Sequence, residues 1–245
     1  WAIVGHGDFN NDGYSDILWR QGTSGATFMR QMQGETVLSS TYVGGDLDWD
    51  AWATGDFDGD GKTDILWRQY STQATLLSRM DGANVLSTAG VGGDADWTVS
   101  RVCDLNGDGR DDLIWREASS GVSVAWLSNG LDAQGNLQIG QTGAVSDFWP
   151  ITAVGDFNGD GKCDLVFPTY PSHTIRAMDG VLGTGANKLV FAYGYVVTSG
   201  DFDGDGFADL VWFNASTSQT RVTLKPFYTA PVTALGDPNW RMVEY

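Results

Sequence analysis

A nine-residue acidic pattern recurs five times along this chain and limits its possible folds more than any other feature. The copies are Asp8-Phe-Asn-Asn-Asp-Gly-Tyr-Ser-Asp16, Asp56-Phe-Asp-Gly-Asp-Gly-Lys-Thr-Asp64, Asp104-Leu-Asn-Gly-Asp-Gly-Arg-Asp-Asp112, Asp156-Phe-Asn-Gly-Asp-Gly-Lys-Cys-Asp164 and Asp201-Phe-Asp-Gly-Asp-Gly-Phe-Ala-Asp209. Their first residues lie 48, 48, 52 and 45 positions apart. Self-similarity at such a period marks propellers and arrays, in which no unit can bury its apolar face alone.

More than the loop recurs. Trp1, Trp49, Trp97 and Trp149 each stand seven residues before a loop; the fifth copy has Gly194 there, between Tyr193 and Tyr195. A strand-like run follows every loop: Ile17 to Arg20, Ile65 to Arg68, Leu113 to Arg116, Leu165 to Pro168 and Leu210 to Phe213. In the second unit two further stretches, 74–80 and 84–91, are set off by Asp81-Gly82 and Gly92-Gly93. Glycine is abundant, proline scarce, and no long pattern of period 3.6 stands out, so the chain reads as all-β. Four short strands per unit predict a β-propeller of four-stranded blades, five in number, in one domain over 1–245. The repeats fall at 1–48, 49–96, 97–148, 149–193 and 194–239, with a terminal strand over 240–245. A blade lies between two neighbours, so both faces are buried and its strands read as continuous apolar runs. The repeated tryptophans are expected to fill the wedge between blades.

The loops read as calcium sites. Side chains at positions 1, 3, 5 and 9 offer oxygen and a backbone carbonyl at position 7 adds another, which suits a hard cation taking six to eight oxygens. The candidate ligands are Asp8, Asn10, Asp12, Tyr14 and Asp16; Asp56, Asp58, Asp60, Lys62 and Asp64; Asp104, Asn106, Asp108, Arg110 and Asp112; Asp156, Asn158, Asp160, Lys162 and Asp164; and Asp201, Asp203, Asp205, Phe207 and Asp209. Tyr14, Lys62, Arg110, Lys162 and Phe207 enter through their carbonyls. The glycine at position 6 permits the sharp turn. Transition metals are disfavoured by the near absence of His and Cys, and Mg²⁺ by its preference for water. Position 12 holds Trp19, Trp67, Trp115, Phe167 and Trp212 where an EF-hand needs Glu, so the loops are hairpin turns, not helix–loop–helix sites. About five Ca²⁺ would offset ten of the formal charges that leave the chain at −17. Without them the clustered carboxylates should bind protons or open the loop.

Gly-Asp-Phe-Asp-Gly-Asp-Gly-Lys-Thr-Asp over 55–64 resembles the FG-GAP/VCBS repeat of integrin α-chain propellers, of secreted bacterial proteins and of fungal propeller lectins. The resemblance spans nearly the whole chain. It implies a calcium-bound propeller, commonly extracellular, used for adhesion or ligand recognition, with the family's calcium ligands falling on the Asp and Asn positions named above. Family propellers often have seven blades; five repeats occur here, so a closed five-bladed ring and a piece of a larger array both stand.

The strongly acidic balance argues against nucleic acid and anionic membranes as partners. No run of 18 apolar residues is present, which excludes a helical membrane insertion. The start at Trp1 reads as a processed piece of a longer precursor. No nucleophile motif, H-E-x-x-H or histidine cluster is found, so an enzyme is disfavoured and a polysaccharide lyase is the form one would take. The expected function is a secreted or cell-surface recognition module. Carbohydrate is the first ligand class, bound at repeated sites between blades by Trp19, Arg20, Trp67, Arg68, Trp115 and Arg116. Against this, those arginines are candidates for local pairing with aspartate. A protein-adhesion or structural block, self-associating through the terminal strand, is the alternative. Cys103 and Cys163 flank loops and are either a disulfide or two buried thiols. Asn214-Ala-Ser216 is a glycosylation sequon, and His6 and His173 are isolated and read as surface or packing residues.

Overall fold

The computed structural model describes residues 1–132, 134–146, 148–191, 194–228 and 232–235; Tyr193 and the terminal strand expected over 240–245 lie outside these. Among the described residues there are twenty strands and no helix. The first sheet is β1 (Ala2–Gly7), β2 (Asp16–Arg20), β3 (Thr27–Gln33) and β4 (Thr36–Gly44). The second is β5 (Trp49–Gly55), β6 (Asp64–Gln69), β7 (Thr75–Asp81) and β8 (Asn84–Gly92). The third is β9 (Trp97–Cys103), β10 (Asp112–Glu117), β11 (Ser123–Leu131) and β12 (Leu137–Ser146). The fourth is β13 (Ala153–Gly155), β14 (Asp164–Thr169), β15 (Ser172–Asp179) and β16 (Leu182–Phe191), and the fifth β17 (Tyr195–Gly200), β18 (Asp209–Asn214), β19 (Gln219–Thr223) and β20 (Val232–Leu235). Strands in each sheet are hydrogen-bonded in chain order. Five four-stranded antiparallel meanders are the blades of an all-β propeller fold, as the repeat predicts.

The chain divides into two compact units. The first comprises Trp1–Asp104 with Asp108–Ala144 and carries the first three sheets; the second comprises Leu105–Gly107 with the chain from Val145 on and carries the last two.

In each unit one packing rule repeats. The apolar residue at loop position 2 meets the post-loop strand of the next sheet. Phe9, Leu18 and Met29 pack with Ile65, Trp67 and Met80. Phe57, Leu66 and Leu77 pack with Val99, Leu113 and Trp115. In the second unit Phe157, Val166 and Ile175 pack with Ala208, Leu210 and Trp212. On β6, Ile65 and Trp67 serve the first interface and Leu66 the second. That alternation explains why the strand reads as an unbroken apolar run: both its faces are interior. Backbone bonds tie the same neighbours. Thr63 donates its N–H to the Asp8 carbonyl at 2.9 Å, Asp111 to Asp56 at 2.7 Å and Ala208 to Asp156 at 2.7 Å.

The tryptophans ahead of the loops depart from the expectation of core packing. Trp49 and Trp97 are half-buried against the clusters, but Trp1 and Trp149 stand largely exposed. Neither Cys103 nor Cys163 carries a free thiol, and both are disulfide-bonded.

Trp67 is 6 % exposed and Trp1 65 %. Trp67→Ala should therefore cost about 3–5 kcal/mol in urea unfolding, whereas Trp1→Ala should stay within about 0.5 kcal/mol. Equal effects of the two would contradict the packing described.

Candidate functional site: acidic loops and a tryptophan-lined cleft

Each acidic loop joins the first strand of a sheet to the second and is built by its own carboxylates. At position 1, Asp8, Asp56, Asp104, Asp156 and Asp201 each accept the N–H of the position-6 glycine at 2.8–2.9 Å. At position 5, Asp12, Asp60, Asp108, Asp160 and Asp205 each accept the N–H of position 7 at 2.9–3.0 Å. At position 3, Asn10, Asp58, Asn158 and Asp203 accept the N–H of position 5. These Asx turns wrap the chain around a common centre. Position 4 needs a left-handed backbone in every copy; Asn11 supplies it at φ 56° and Gly59 at φ 77°. Asn is the residue that tolerates this conformation best after Gly, so the first loop is no exception in shape.

Position 9 does something the sequence reading missed. Asp16, Asp64, Asp112, Asp164 and Asp209 are fully buried. Each accepts a backbone N–H from the third strand or the turn just past it: Met32 at 2.8 Å, Met80 at 2.9 Å, Ser128 at 2.8 Å, Met178 at 3.1 Å and Lys225 at 2.9 Å. The other oxygen of Asp16, Asp64, Asp164 and Asp209 accepts the position-2 N–H. The carboxylate is thus a clip between loop and sheet as well as a candidate metal ligand.

The donor set suits a hard divalent cation. One oxygen each from Asp56, Asp58 and Asp60 lie within 4.8 Å of one another, as do oxygens of Asp201, Asp203 and Asp209. Burial first, then the charges of neighbouring aspartates, pushes Asp64 and Asp164 up to about 7 and raises Asp16 and Asp56. Burial likewise pushes Asp111, beside the second and third loops, to about 6. No positive charge is among the leading influences on these groups. Side-chain cations answer part of the need. Arg79 pairs with Asp58 and, at 3.1 Å, with Asp60; Lys225 pairs with Asp205 at 2.9 Å. Of the position-7 cations, Arg110 pairs with Asp108 of its own loop at 3.3 Å, whereas Lys62 reaches Asp81 at 2.8 Å and Lys162 reaches Asp179 at 2.6 Å.

The six residues expected to bind ligand are not equivalent. Arg68 is buried and donates to Thr75 at 3.0 Å, Gln73 at 3.1 Å and the carbonyls of Asp94 and Trp97. Arg20 pairs with Asp50 at 3.0 Å and donates to the Asp46 carbonyl. Arg116 donates to the Gly121 carbonyl at 2.6 Å. These arginines fasten turns and inter-sheet links, which corrects their reading as free sugar-binding donors. Trp67 is interior and bonded to Ser78. Trp19 is half-buried, with the Arg30 guanidinium 4.7 Å above its ring.

Trp115 differs. In sheets two and five the residue cross-strand from position 10 is Ser78 or Thr223, whose hydroxyl accepts the indole N–H of Trp67 or Trp212. In sheet three that residue is Trp126. It tilts against Trp115 at 5.2 Å between ring centroids, and the buried Trp115 Nε1 has no hydrogen-bond partner. Trp97, Trp115, Trp126, Val124, Gly93 and Asp94 line a cleft of about 360 Å³. Two backbone N–H groups, of Trp97 and Asp96, hold the Asp94 carboxyl below its usual range, so it is ionised at neutral pH. The cleft offers aromatic faces, an unmet donor and a fixed acceptor. Trp97 and Trp126 were not singled out as ligand residues. The available signal was the replacement of a hydroxyl by a third indole in one repeat.

Family models match the repeats that carry the loops. An FG-GAP-like repeat model matches residues 8–67, 56–115 and 104–167, and an FG-GAP repeat model matches 193–224. The chain belongs to the FG-GAP repeat family. No curated protein sequence matches it significantly. Among solved structures it is similar to a chain of a Photorhabdus luminescens Tc holotoxin pore, at 17 % identity and TM-score 0.55. That match covers 97 % of this chain but 12 % of the toxin chain, and it bears on fold alone. An FG-GAP propeller is a recognition scaffold, and this one presents both the family's acidic loops and a cleft.

In metal-free buffer the folded FG-GAP chain holds protons on Asp64, Asp164 and Asp111 that the unfolded chain, titrating near 4, has lost. Folded-state pKa values near 6–7 therefore make stability rise as pH falls from 8 towards 5. His173, held neutral by burial, opposes this, one group against three. Melting curves in chelator should show the rise; a steady fall over that range would contradict it.

Proposed function

We propose that this chain is a secreted, calcium-stabilised carbohydrate-recognition module whose ligand enters the Trp97–Trp115–Trp126 cleft. The observation that carries the reading is the unpaired, buried Trp115 Nε1 in the wall of a cleft with two other indoles and an ionised Asp94. A pyranose has apolar C–H faces that stack on indole and hydroxyls that both donate and accept. Trp97 and Trp126 would take the ring face, Trp115 Nε1 would donate to a hydroxyl or ring oxygen, and Asp94 would accept from a second hydroxyl. The volume is that of one sugar residue within the range of small-ligand sites.

Calcium enters through chemistry of the donors. Position-1, -3, -5 and -9 oxygens, with the position-7 carbonyl, would hold about one ion per loop. An ion would replace the protons that the buried aspartates otherwise need. Calcium loops also fit an extracellular setting, where millimolar calcium and an oxidising milieu for Cys103 and Cys163 coexist.

A second reading is a building block of a larger assembly, which a stack of repeated sheets also suits. The two readings separate by ligand. Titration with neutral mono- and disaccharides should quench or shift tryptophan fluorescence saturably. Trp126→Ala should weaken binding at least about tenfold with the melting temperature kept. Saccharide screening that finds no saturable binder, or a Trp126→Ala variant that binds unchanged, would contradict the carbohydrate reading.

A further inference from the structure

The acidic loops are not alike at position 3. It is Asn in the first, third and fourth copies, as Asn10, Asn106 and Asn158, and Asp in the second and fifth, as Asp58 and Asp203. Loops two and five therefore carry four candidate ligand carboxylates where the others carry three. The same two units differ in a second place, far along the chain from the loop. The backbone N–H that meets the buried position-9 carboxylate comes from Met32, Met80, Ser128, Met178 and Lys225. With the residue before it, this point reads Gln31-Met32, Arg79-Met80, Leu127-Ser128, Ala177-Met178 and Leu224-Lys225. A basic side chain stands there only where position 3 is Asp.

The base reaches the loop's carboxylates. Arg79 pairs through Nε with Asp58 Oδ2 and through Nη2, at 3.1 Å, with Asp60 Oδ2. Those are the oxygens that the loop's own turns leave over. Oδ1 of Asp58 accepts the Asp60 N–H at 3.1 Å, and Oδ1 of Asp60 accepts the Lys62 N–H at 2.9 Å. Oxygens of Asp56, Asp58 and Asp60 lie within 4.8 Å of one another, so the guanidinium draws on the donors that a cation would share. In loop five Lys225 Nζ likewise meets Asp205 Oδ2 at 2.9 Å, while Asp205 Oδ1 accepts the Phe207 N–H at 3.0 Å. Loop four is the natural contrast. Ala177 stands where loop two has Arg79, and the position-7 Lys162 reaches away to Asp179 at 2.6 Å. Arg79, Asp58 and Asp60 also line an open recess of about 490 Å³, which gives the guanidinium room to leave and an ion a way in.

We infer that Arg79 is a resident competitor for the cation of loop two, and that it makes this loop give up calcium before loop four does. Affinity at an oxygen site follows the charge of its ligands and their freedom to close on the ion. A fixed positive charge a few ångströms from a divalent ion opposes its binding by Coulomb's law. Arg79 also holds two of the ligands in charge-assisted bonds that an ion must displace. When calcium fills the loop, the guanidinium is released into the recess, so the charge presented there changes with the calcium level. Loop two is thereby a responsive element on the scaffold that the repeated loops build. The inference rests on calcium as the ion of these loops and goes beyond that reading by ranking them.

The test starts from the full chain loaded with Ca²⁺ and lowers the free ion through a buffered chelator series, with amide NMR as the readout. The position-6 glycine reports on its own loop, since Gly61 donates to Asp56 and Gly161 to Asp156, both at 2.8 Å. Gly61 is expected to lose its calcium-loaded shift at a higher free Ca²⁺ than Gly161. Arg79→Gln should lower the Gly61 midpoint at least about tenfold and leave that of Gly161 in place. Asp58→Asn combined with Arg79→Ala, which copies loop four, should bring the two midpoints together. A Gly61 midpoint unmoved or raised by Arg79→Gln, or release from loop four before loop two, would overturn the inference while the calcium reading stood. If neither glycine responded to Ca²⁺, the calcium reading itself would fail, and this inference with it.

Discussion

The buried aspartate at loop position 9 is the interaction on which the rest of each sheet depends. A carboxylate taken wholly from water is costly unless it is hydrogen-bonded and its charge compensated. Here the hydrogen bonds come from two directions, the loop's second residue and the far end of the third strand. The bond from the loop fixes Phe57 or its counterpart in place; the bond from the strand fixes the register of β7 against β6. Burial, reinforced by the charges of neighbouring aspartates, pushes the Asp64 and Asp164 carboxyls up to about 7. One group therefore couples loop shape and sheet register.

From that clip the inter-sheet packing follows. Once the loop is wrapped, position 2 projects Phe9, Phe57 or Phe157 into the neighbouring sheet, where it meets an aromatic from position 12. The three interfaces within the units are the same in kind, but their polar details vary. A hydroxyl satisfies Trp67 and Trp212; Trp126 takes its place beside Trp115, whose buried indole N–H has no partner. Arg68 closes the gap after sheet two by donating to the carbonyls of Asp94 and Trp97.

That distinction also explains what could be read from the sequence. Period, strand count and hairpin loops were legible, because each is written five times and chance does not repeat in register. The strands expected over 74–80 and 84–91 lie within a residue or so of β7 and β8. The separate role of Asp64 was not legible, since a ligand and a buried clip call for the same residue type. The Trp-Arg pairs misled for the opposite reason. Repetition was read as repeated binding, whereas Arg20 and Arg68 recur because each turn and link needs fastening. Exposure of Trp1 and Trp149 depends on tertiary surroundings that a heptapeptide spacing cannot encode.

The most direct test of the central claim is differential scanning calorimetry of the chain stripped with a chelator and then resupplied with calcium. Compensation of the loop carboxylates by divalent cations predicts a melting temperature lower by many degrees in chelator and restored by Ca²⁺ in excess. A melt unchanged between the two states would contradict the claim that cations complete these loops.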